Sequence, residues 1–378
     1  MGTKLYTVLG AGRQGKAAAY DLAKFGNAKA ILLADEDPAT AKQATAELNH
    51  LLEKNIVHPI GVNARSTDAV YNLLMESIGF VSAVHYNLNI ALTELAVETG
   101  CHMVDLGGNT NVVWRQHQLH EEARKVGVRI IPDCGMAPGL ANTLISAALQ
   151  RVALPSSAQA YCGGIPQMPR PPLGYHFPLA VSGLINECSG YADIVRGGEV
   201  VQQSTLFSIE EITVPGIGTL EATHTSGGLS TAPWTLIEQY PSLKTLEHKT
   251  LRYPGHWEIL QNLARKGKLA SGLEAFAKAT PPDLEDLGIL SVYASGHTAE
   301  GKLETLILEI IDRYDPYTHL TAMQRLTGFH ASIMLIAATE IMTETGVLKV
   351  EAIDPQMVIS EFAKRGIVVE ETRATSFS

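Results

Sequence analysis

The sequence predicts an α/β fold in which a doubly wound parallel sheet is joined to a second, mixed α/β domain. Three observations carry this. Apolar β-branched runs alternate with helical periodicities from the first residues to about residue 135. The first such run ends in a glycine-rich turn that opens a helix. After about residue 150 the texture changes to Pro- and Gly-broken strands with few helical periods.

The elements follow in order. "KLYTVLG" is a buried strand, and it ends in Gly10-Ala11-Gly12-Arg13-Gln14-Gly15, a G-x-G-x-x-G turn. In "KAAAYDLAKFG", Ala18, Leu22 and Phe25 recur at helical spacing and Gly26 stops the helix. Gly10 allows the tight turn, Gly12 lets backbone approach a pyrophosphate, and Gly15 lets helix and strand pack closely, with the helix N-terminus facing the phosphates. The strand "AKAILLAD" then ends at Asp35, where a carboxylate accepts hydrogen bonds from an adenosine ribose. Asp35, Glu36 and Asp37 together repel a 2′-phosphate, so NAD is expected over NADP. The plainer reading of Asp35 is an acid capping the next helix.

Helix 41–55, strand 57–64, helix 68–76, strand 79–86, helix 89–100, strand 101–108, helix 114–127 and strand 128–135 continue the alternation. A ligand belongs at the carboxyl ends of such strands. Those ends hold Gly10, Gly12, Arg13, Gln14 and Gly15, then Asp35, Asn63, Ala83 and Val84, then Asp105, Leu106 and Gly107, and finally Met136 and Pro138, which are the expected cofactor contacts. Tyr86 and Asp133 stand at the same mouths. Asp105 and Asp133 can equally cap the turns "GGNT" and "CGMAPG".

In the second half, "AQAYCGGIP" reads as a strand broken by glycines, "QMPRPPLGY" as a loop, and "FPLAVSGLINECSG" as a short helix around Leu184. "STLFSIEEITVPGIGTLEATHT" reads as two strands joined by a turn, "KTLEHKTLRYPGHWE" and "LETLILEIID" as further strands. The long amphipathic helix 318–346 is expected to return to the first domain, as is the helix around "PQMVISEFAKRG". The expected division is 1–140 with 322–378 packing back on it, and 141–321 as the substrate domain. Polar groups cluster in "EATHTSGG" (Glu221, His224, Thr225, Ser226), in "TLRYPGHW" (Arg252, Tyr253, His256) and in "PLGYHF" (Tyr175, His176).

Composition bounds the function. A chain of 378 residues is long for one core and fits two domains. A net charge of −10 without a Lys/Arg cluster argues against nucleic acid. No apolar run reaches the roughly 18 to 20 residues of a membrane helix, and no basic region precedes an apolar stretch, so no signal peptide and a cytoplasmic location are expected. Cys101, Cys134, Cys162 and Cys188 lack metal-ligand spacing and read as buried thiols, with Cys134 held open for its neighbours. No metal is expected.

The segments "VLGAGRQG", "LLADED", "AVETGCHMVDLGG", "GVRIIPDCGMAPGLAN", "YCGGIP", "PPLGYHF", "HTSGG" and "LRYPGH" resemble, in this order, the saccharopine dehydrogenase and lysine 6-dehydrogenase superfamily. The resemblance runs from Lys4 to about Arg373 and is nearest on the lysine side. It implies a Rossmann domain, a substrate domain with an open-faced sheet, a small amino-acid substrate and a homodimer or higher homo-oligomer. The reaction implied is NAD-dependent oxidation of the lysine ε-carbon to allysine, with release of ammonia. Ser82 and Asn63 depart from the family pattern on the expected adenosine side, and "DLGGNT" replaces the serine-serine-tyrosine turn of saccharopine reductases.

That chemistry needs a cation for the α-carboxylate, which suits Arg252 with Tyr175, Thr225 and Ser226 around it. It needs a base for the ε-ammonium, which suits His224, with Tyr86 and Asp133 as alternatives. Two other readings remain. A dehydrogenase of saccharopine or carboxynorspermidine would need further cations such as Arg170 and Arg196, and a non-catalytic NAD-binding protein would need no base.

Overall fold

The computed structural model describes residues 4–177, 181–280, 285–298 and 300–376. The chain divides into two compact units, Met1–Leu140 with Gln324–Phe362, and Ala141–Met323 with Ala363–Ser378.

In the first unit, β1 (Lys4–Leu9), β2 (Ala28–Asp35), β3 (Val57–Gly61), β4 (Gly79–Ser82), β5 (His102–Asp105) and β6 (Arg129–Ile131) form a parallel sheet. A seventh short strand, β15 (Gly346–Val347), pairs with β6. The order β15-β6-β5-β4-β1-β2-β3 reverses direction at β1, next to β4. Such a reversal opens a crevice at the carboxyl ends of those two strands. In register, Leu9 of β1 stands beside Ala34 on one side and Ser82 on the other. The strands are apolar on both faces because helices cover both. Leu9, Phe80, Met103 and Ile130 are buried with Leu74, Leu92 and Val347 in one cluster. Each such side chain contributes about 1.5–3 kcal/mol by leaving water.

The expected helix 114–127 is two helices, Thr110–His117 and His120–Val126. The first starts early because the Asn109 side chain accepts Val112 N–H and caps it. The helix Ala322–Glu340 belongs to the first unit from Gln324 onward. It crosses Arg13–Phe25 so closely that a Cβ on Gly328 would lie 2.6 Å from Ala17 Cβ and 2.9 Å from Ala18 N.

The second unit is built on β7 (Pro155–Pro166), β8 (Tyr191–Arg196), β9 (Glu199–Ser204), β10 (Glu210–Val214), β11 (Gly218–His224), β12 (Thr245–Arg252), β13 (Asp286–His297), β14 (Leu303–Arg313) and β16 (Glu370–Ser376). The main path runs β10-β11-β12-β7-β13-β14-β16, with β8 paired to the start of β12 and β9 to β8. β7 is one continuous twelve-residue strand despite its glycines, held between parallel β12 and antiparallel β13. β13 fills the stretch that the sequence pattern left unassigned. The helices Val181–Glu187, His256–Arg265 and Leu269–Ala279 share one apolar cluster through Leu184, Trp257, Leu260 and Leu273. Residues 178–180, at the start of the expected helix around Leu184, lie outside the described residues.

One boundary differs from expectation. Residues 322–378 do not return to the first unit as a block, because β16 pairs with β14 over Leu303–Glu309 and so joins the second sheet. Glu370, Glu371, Thr372 and Arg373 are all exposed, so this strand gives no apolar alternation to read. Among the described residues no helix is long and apolar enough to cross a membrane.

Candidate active site

At the β1/β4 crevice lies a cleft of 310 Å³ lined by Gly10, Gly12, Asp35, Asn63, Ala83 and Val84, together with Glu36, Arg65 and His85. A Cβ on Gly15 would overlap the Gly10 carbonyl oxygen, whereas one on Gly12 meets nothing within 4 Å. The turn is therefore closed on its protein side and open where a pyrophosphate would approach. Arg13 and Gln14 begin the helix, and the Arg13 carbonyl accepts Gln324 Nε2 at 2.9 Å. Asp35 holds the loop in place: its Oδ2 accepts Ala11 N–H at 2.9 Å and its Oδ1 accepts Asp37 N–H at 3.0 Å. Helix capping falls to Asp37, which accepts Ala39 N–H and Thr40 N–H. Asp35 thus keeps lone pairs for a ribose, and these residues fit a dinucleotide. Asn63 closes an Asx turn on Arg65 N–H, bringing the Arg65 backbone to the cleft. Ser82 is buried and donates to Asn89 Oδ1 at 2.7 Å, away from the cleft lining.

The ends of β5 and β6 form a separate knot. Asp105 is fully buried, and its carboxylate accepts Gly107 N–H, Asp133 N–H and Gln116 Nε2. Burial pushes its pKa up against those bonds. A Cβ on Gly107 would overlap Asp133 Oδ1 and press on Pro138, so Leu106, Gly107, Asp133 and Pro138 fit as one piece. Met136 is buried beside them. His330 braces this loop by hydrogen bonds to the backbone of Cys134 and Gly135, and burial lowers its pKa to about 4. The Cys134 thiol is buried, and burial pushes it well above its ordinary range. Asp105 and Asp133 therefore shape the strand ends, and neither is open to solvent. Tyr86 is half-buried, with its ring against Gly108 and tilted by 34° to the His85 ring at 4.3 Å between centroids.

In the second unit Arg252 is 3% exposed. Its guanidinium lies 4.4 Å over the Tyr175 ring and 5.4 Å from that of Trp257. Nη1 donates to the carbonyl of Leu251, Nη2 to Tyr175 Oη at 3.3 Å, and Nε is buried with no hydrogen-bond partner among the described residues. Among the described residues no carboxylate comes within ion-pair distance of it. Burying a guanidinium without its counter-charge is expensive, and a bound anion removes that cost. Glu187, at the end of helix Val181–Glu187, is the acid that feels it: burial raises the Glu187 pKa and the Arg252 charge lowers it, with burial prevailing. Ser226 fixes that helix end, its N–H donating to the Glu187 carbonyl and its hydroxyl to the Asn186 carbonyl. Thr225 Oγ1 bonds Thr250 Oγ1 at 2.7 Å. His256 is fully buried, with Nδ1 on the Leu173 carbonyl and its pKa lowered to about 3 by burial and then by Arg252. Beside Tyr175 a cavity of 150 Å³ is lined by Arg170, His176 and Phe276.

His224 does not join this group. It registers with Lys249 across β11 and β12, while Arg252 registers with Glu221. An offset of three residues along a strand turns the side chain to the other face. His224 Nε2 instead lies 3.7 Å from Glu247, which also pairs with Lys249 at 3.2 Å. These partners hold the Glu247 carboxyl down at about 2. The base and the clamp expected from sequence thus sit on opposite faces of one sheet. Sequence reasoning missed Glu187, Trp257, Arg65, His85 and His330. Only Arg65 and His85 carried a signal, as polar residues directly after strand ends.

Residues 6–131 match the family model described as the saccharopine dehydrogenase NADP binding domain, and residues 135–367 match that of the saccharopine dehydrogenase C-terminal domain. Apo saccharopine dehydrogenase (L-Glu forming) from Saccharomyces cerevisiae superposes with a TM-score of 0.77 at 15% identity, covering 98% of this chain and 100% of that one. A myo-inositol dehydrogenase from Corynebacterium glutamicum gives 0.43 at 11% identity, covering 100% and 99%.

Proposed function

We infer that this chain, which belongs to the saccharopine dehydrogenase family, is an NAD-dependent oxidoreductase that oxidises the ε-carbon of L-lysine to allysine and releases ammonia. The observation that carries the substrate class is Arg252, a buried guanidinium on an aromatic shelf whose Nε has no hydrogen-bond partner and which has no ion-paired carboxylate among the described residues. It suits an α-carboxylate, and Glu187 beside it suits the α-ammonium, so the pair recognises the zwitterion of a free amino acid.

Gly10, Gly12 and Asp35 would hold the dinucleotide, and Asp35 with Glu36 disfavours a 2′-phosphate. When bound, the nicotinamide supplies the two-electron acceptor, taking hydride from the ε-carbon. The chain's residues must first take a proton from the ε-ammonium, so that the nitrogen lone pair can form the C=N bond as hydride leaves. Water then adds to the iminium carbon and ammonia departs, leaving the aldehyde, which cyclises with its own α-amine. Since His224 faces away from Arg252, the proton acceptor passes to Tyr86, which unlike Asp133 is open to solvent.

A second reading has one specific support. Arg170 lines the cavity beside Tyr175, which suits a substrate with a further carboxylate, such as saccharopine. Initial rates with lysine, saccharopine and carboxynorspermidine, each with NAD and NADP, decide between them. Turnover of lysine with NAD alone is expected. A preference for saccharopine would move the assignment to the second reading, and NAD binding without turnover of any amine would overturn both.

A further inference from the structure

The first unit holds a second cavity, of 560 Å³, at the outer edge of its sheet, and it shares no lining residue with the dinucleotide cleft. Its size is that of a site for a small organic ligand. One side carries His117, His120 and Lys349, and another carries Ile341, Leu348 and Met357. Lys349 Nζ stands 5.4 Å from the Trp114 ring and, among the described residues, has no carboxylate within ion-pair distance. His117 Nε2 is buried and, among the described residues, meets no hydrogen-bond partner in good geometry, the Val347 backbone being the polar group its ring feels. Burial, then the charges of Lys349 and His120, lower the His117 pKa to about 4, so its ring is neutral and offers a hydrogen bond. His120 is fixed by Nδ1 against the Val347 carbonyl at 3.0 Å. Of the acids on the rim, Asp354 accepts Gln356 N–H at the start of helix Pro355–Lys364, and Glu344 is exposed.

We propose that this cavity binds a small carboxylate carried on an apolar body, its carboxylate at Lys349 and His117 and its body against Ile341, Leu348 and Met357. Among the described residues, a cation with no ion-paired carboxylate and a buried imidazole nitrogen, facing an apolar wall, match that ligand and no neutral hydrocarbon. This site does not depend on the reaction assigned to the protein.

The test uses the full chain and octanoate as probe, with octanamide to remove the charge and acetate to remove the tail, by calorimetry. Saturable octanoate binding is expected, with both comparators at least about tenfold weaker, a difference of roughly 1.4 kcal/mol. Lys349→Met and, independently, Met357→Trp should each weaken octanoate by about tenfold or more. Binding should persist in Arg252→Ala, which separates this cavity from the amino-acid site. Equal binding of octanamide, loss of binding in Arg252→Ala, or unchanged affinity in Met357→Trp would overturn the proposal. If Lys349→Met does not fold, the Met357→Trp comparison decides alone.

Discussion

At the scale of single residues, the chemistry turns on which face of a strand a side chain takes. Arg252→Ala should raise KM for lysine strongly while NAD affinity, read by fluorescence, stays within about twofold. Losing a desolvated charged partner costs about 2 to 5 kcal/mol. Arg252→Lys should recover only part of this, because an ammonium lacks the planar fork. An unchanged KM would remove Arg252 from the site. His224→Gln should leave kcat within a few-fold of wild type, while Tyr86→Phe should lower it by about 10². The reverse result would restore His224 as the base. In the sequence Arg252 stands out as the cation of the polar group in "TLRYPGHW", and the structure buries it beside Tyr175 and Trp257. His224 was misleading for a physical cause: residue type and neighbouring glycines were visible, but register across β11 and β12 was not. Glu187 was invisible, since it comes under the influence of the Arg252 charge only through a helix whose end is tied by Ser226, some forty residues on.

At the scale of elements, the glycine turn and the end of β2 set cofactor choice. NAD should be preferred over NADP by at least about tenfold, roughly 1.4 kcal/mol, in ratios of kcat/KM. Asp35→Ser with Glu36→Arg should narrow or reverse this. Arg65, which lines the same cleft, works the other way: Arg65→Ala should weaken NADP more than NAD. The first sheet was legible almost strand by strand because each buried parallel strand is an unbroken apolar run between glycine and acid punctuation. The second sheet was legible in part: β7, β10, β11, β12 and β14 show in the pattern, whereas β8, β9, β13 and β16 do not. The β8–β9 hairpin turns on Gly197 and Gly198, both at positive φ, and its strands mix Val with Gln and Glu, a weak alternation on a half-exposed surface. The helix pair crossing at Gly328 gives a further expectation. Gly328→Ala places a methyl against Ala17 and the backbone of Ala18, and should destabilise the protein by about 1–3 kcal/mol in urea unfolding. No loss of stability would mean that the helices can move apart freely.

At the scale of the whole molecule, two carboxylates, buried Asp286 and half-buried Glu247, shape stability against pH in opposite senses. Asp286 accepts Ala322 N–H at 2.6 Å and Met323 N–H at 3.0 Å, yet burial prevails and raises its pKa to about 6. The native state then keeps a proton that the unfolded chain has released, so this group's contribution falls as pH rises from about 4 to 6. Glu247, held down at about 2, contributes above its ordinary range and loses that contribution as pH falls toward 2. Asp286→Asn should therefore gain stability relative to wild type between pH 4 and pH 7, compared by urea midpoints at the two values. A constant difference would show that Asp286 does not titrate in that window.

The division of the chain has its own consequence during synthesis. The polypeptide passes from one unit to the other at residues 140/141, 323/324 and 362/363. As it leaves the ribosome, the first 140 residues emerge with six strands of their sheet but without the helix that presses on Ala17 or the strand that closes beside β6. Nearly the whole second unit is translated before those pieces arrive, and its own edge strand β16 follows them. The first unit cannot be completed until residues 324–362 have emerged, nor the second until β16 has, so each waits as a partly exposed intermediate of the kind that draws on chaperones. Fragments cut at residue 140 should accordingly bind dinucleotide poorly and aggregate, although every glycine and acid of the cleft is present in them.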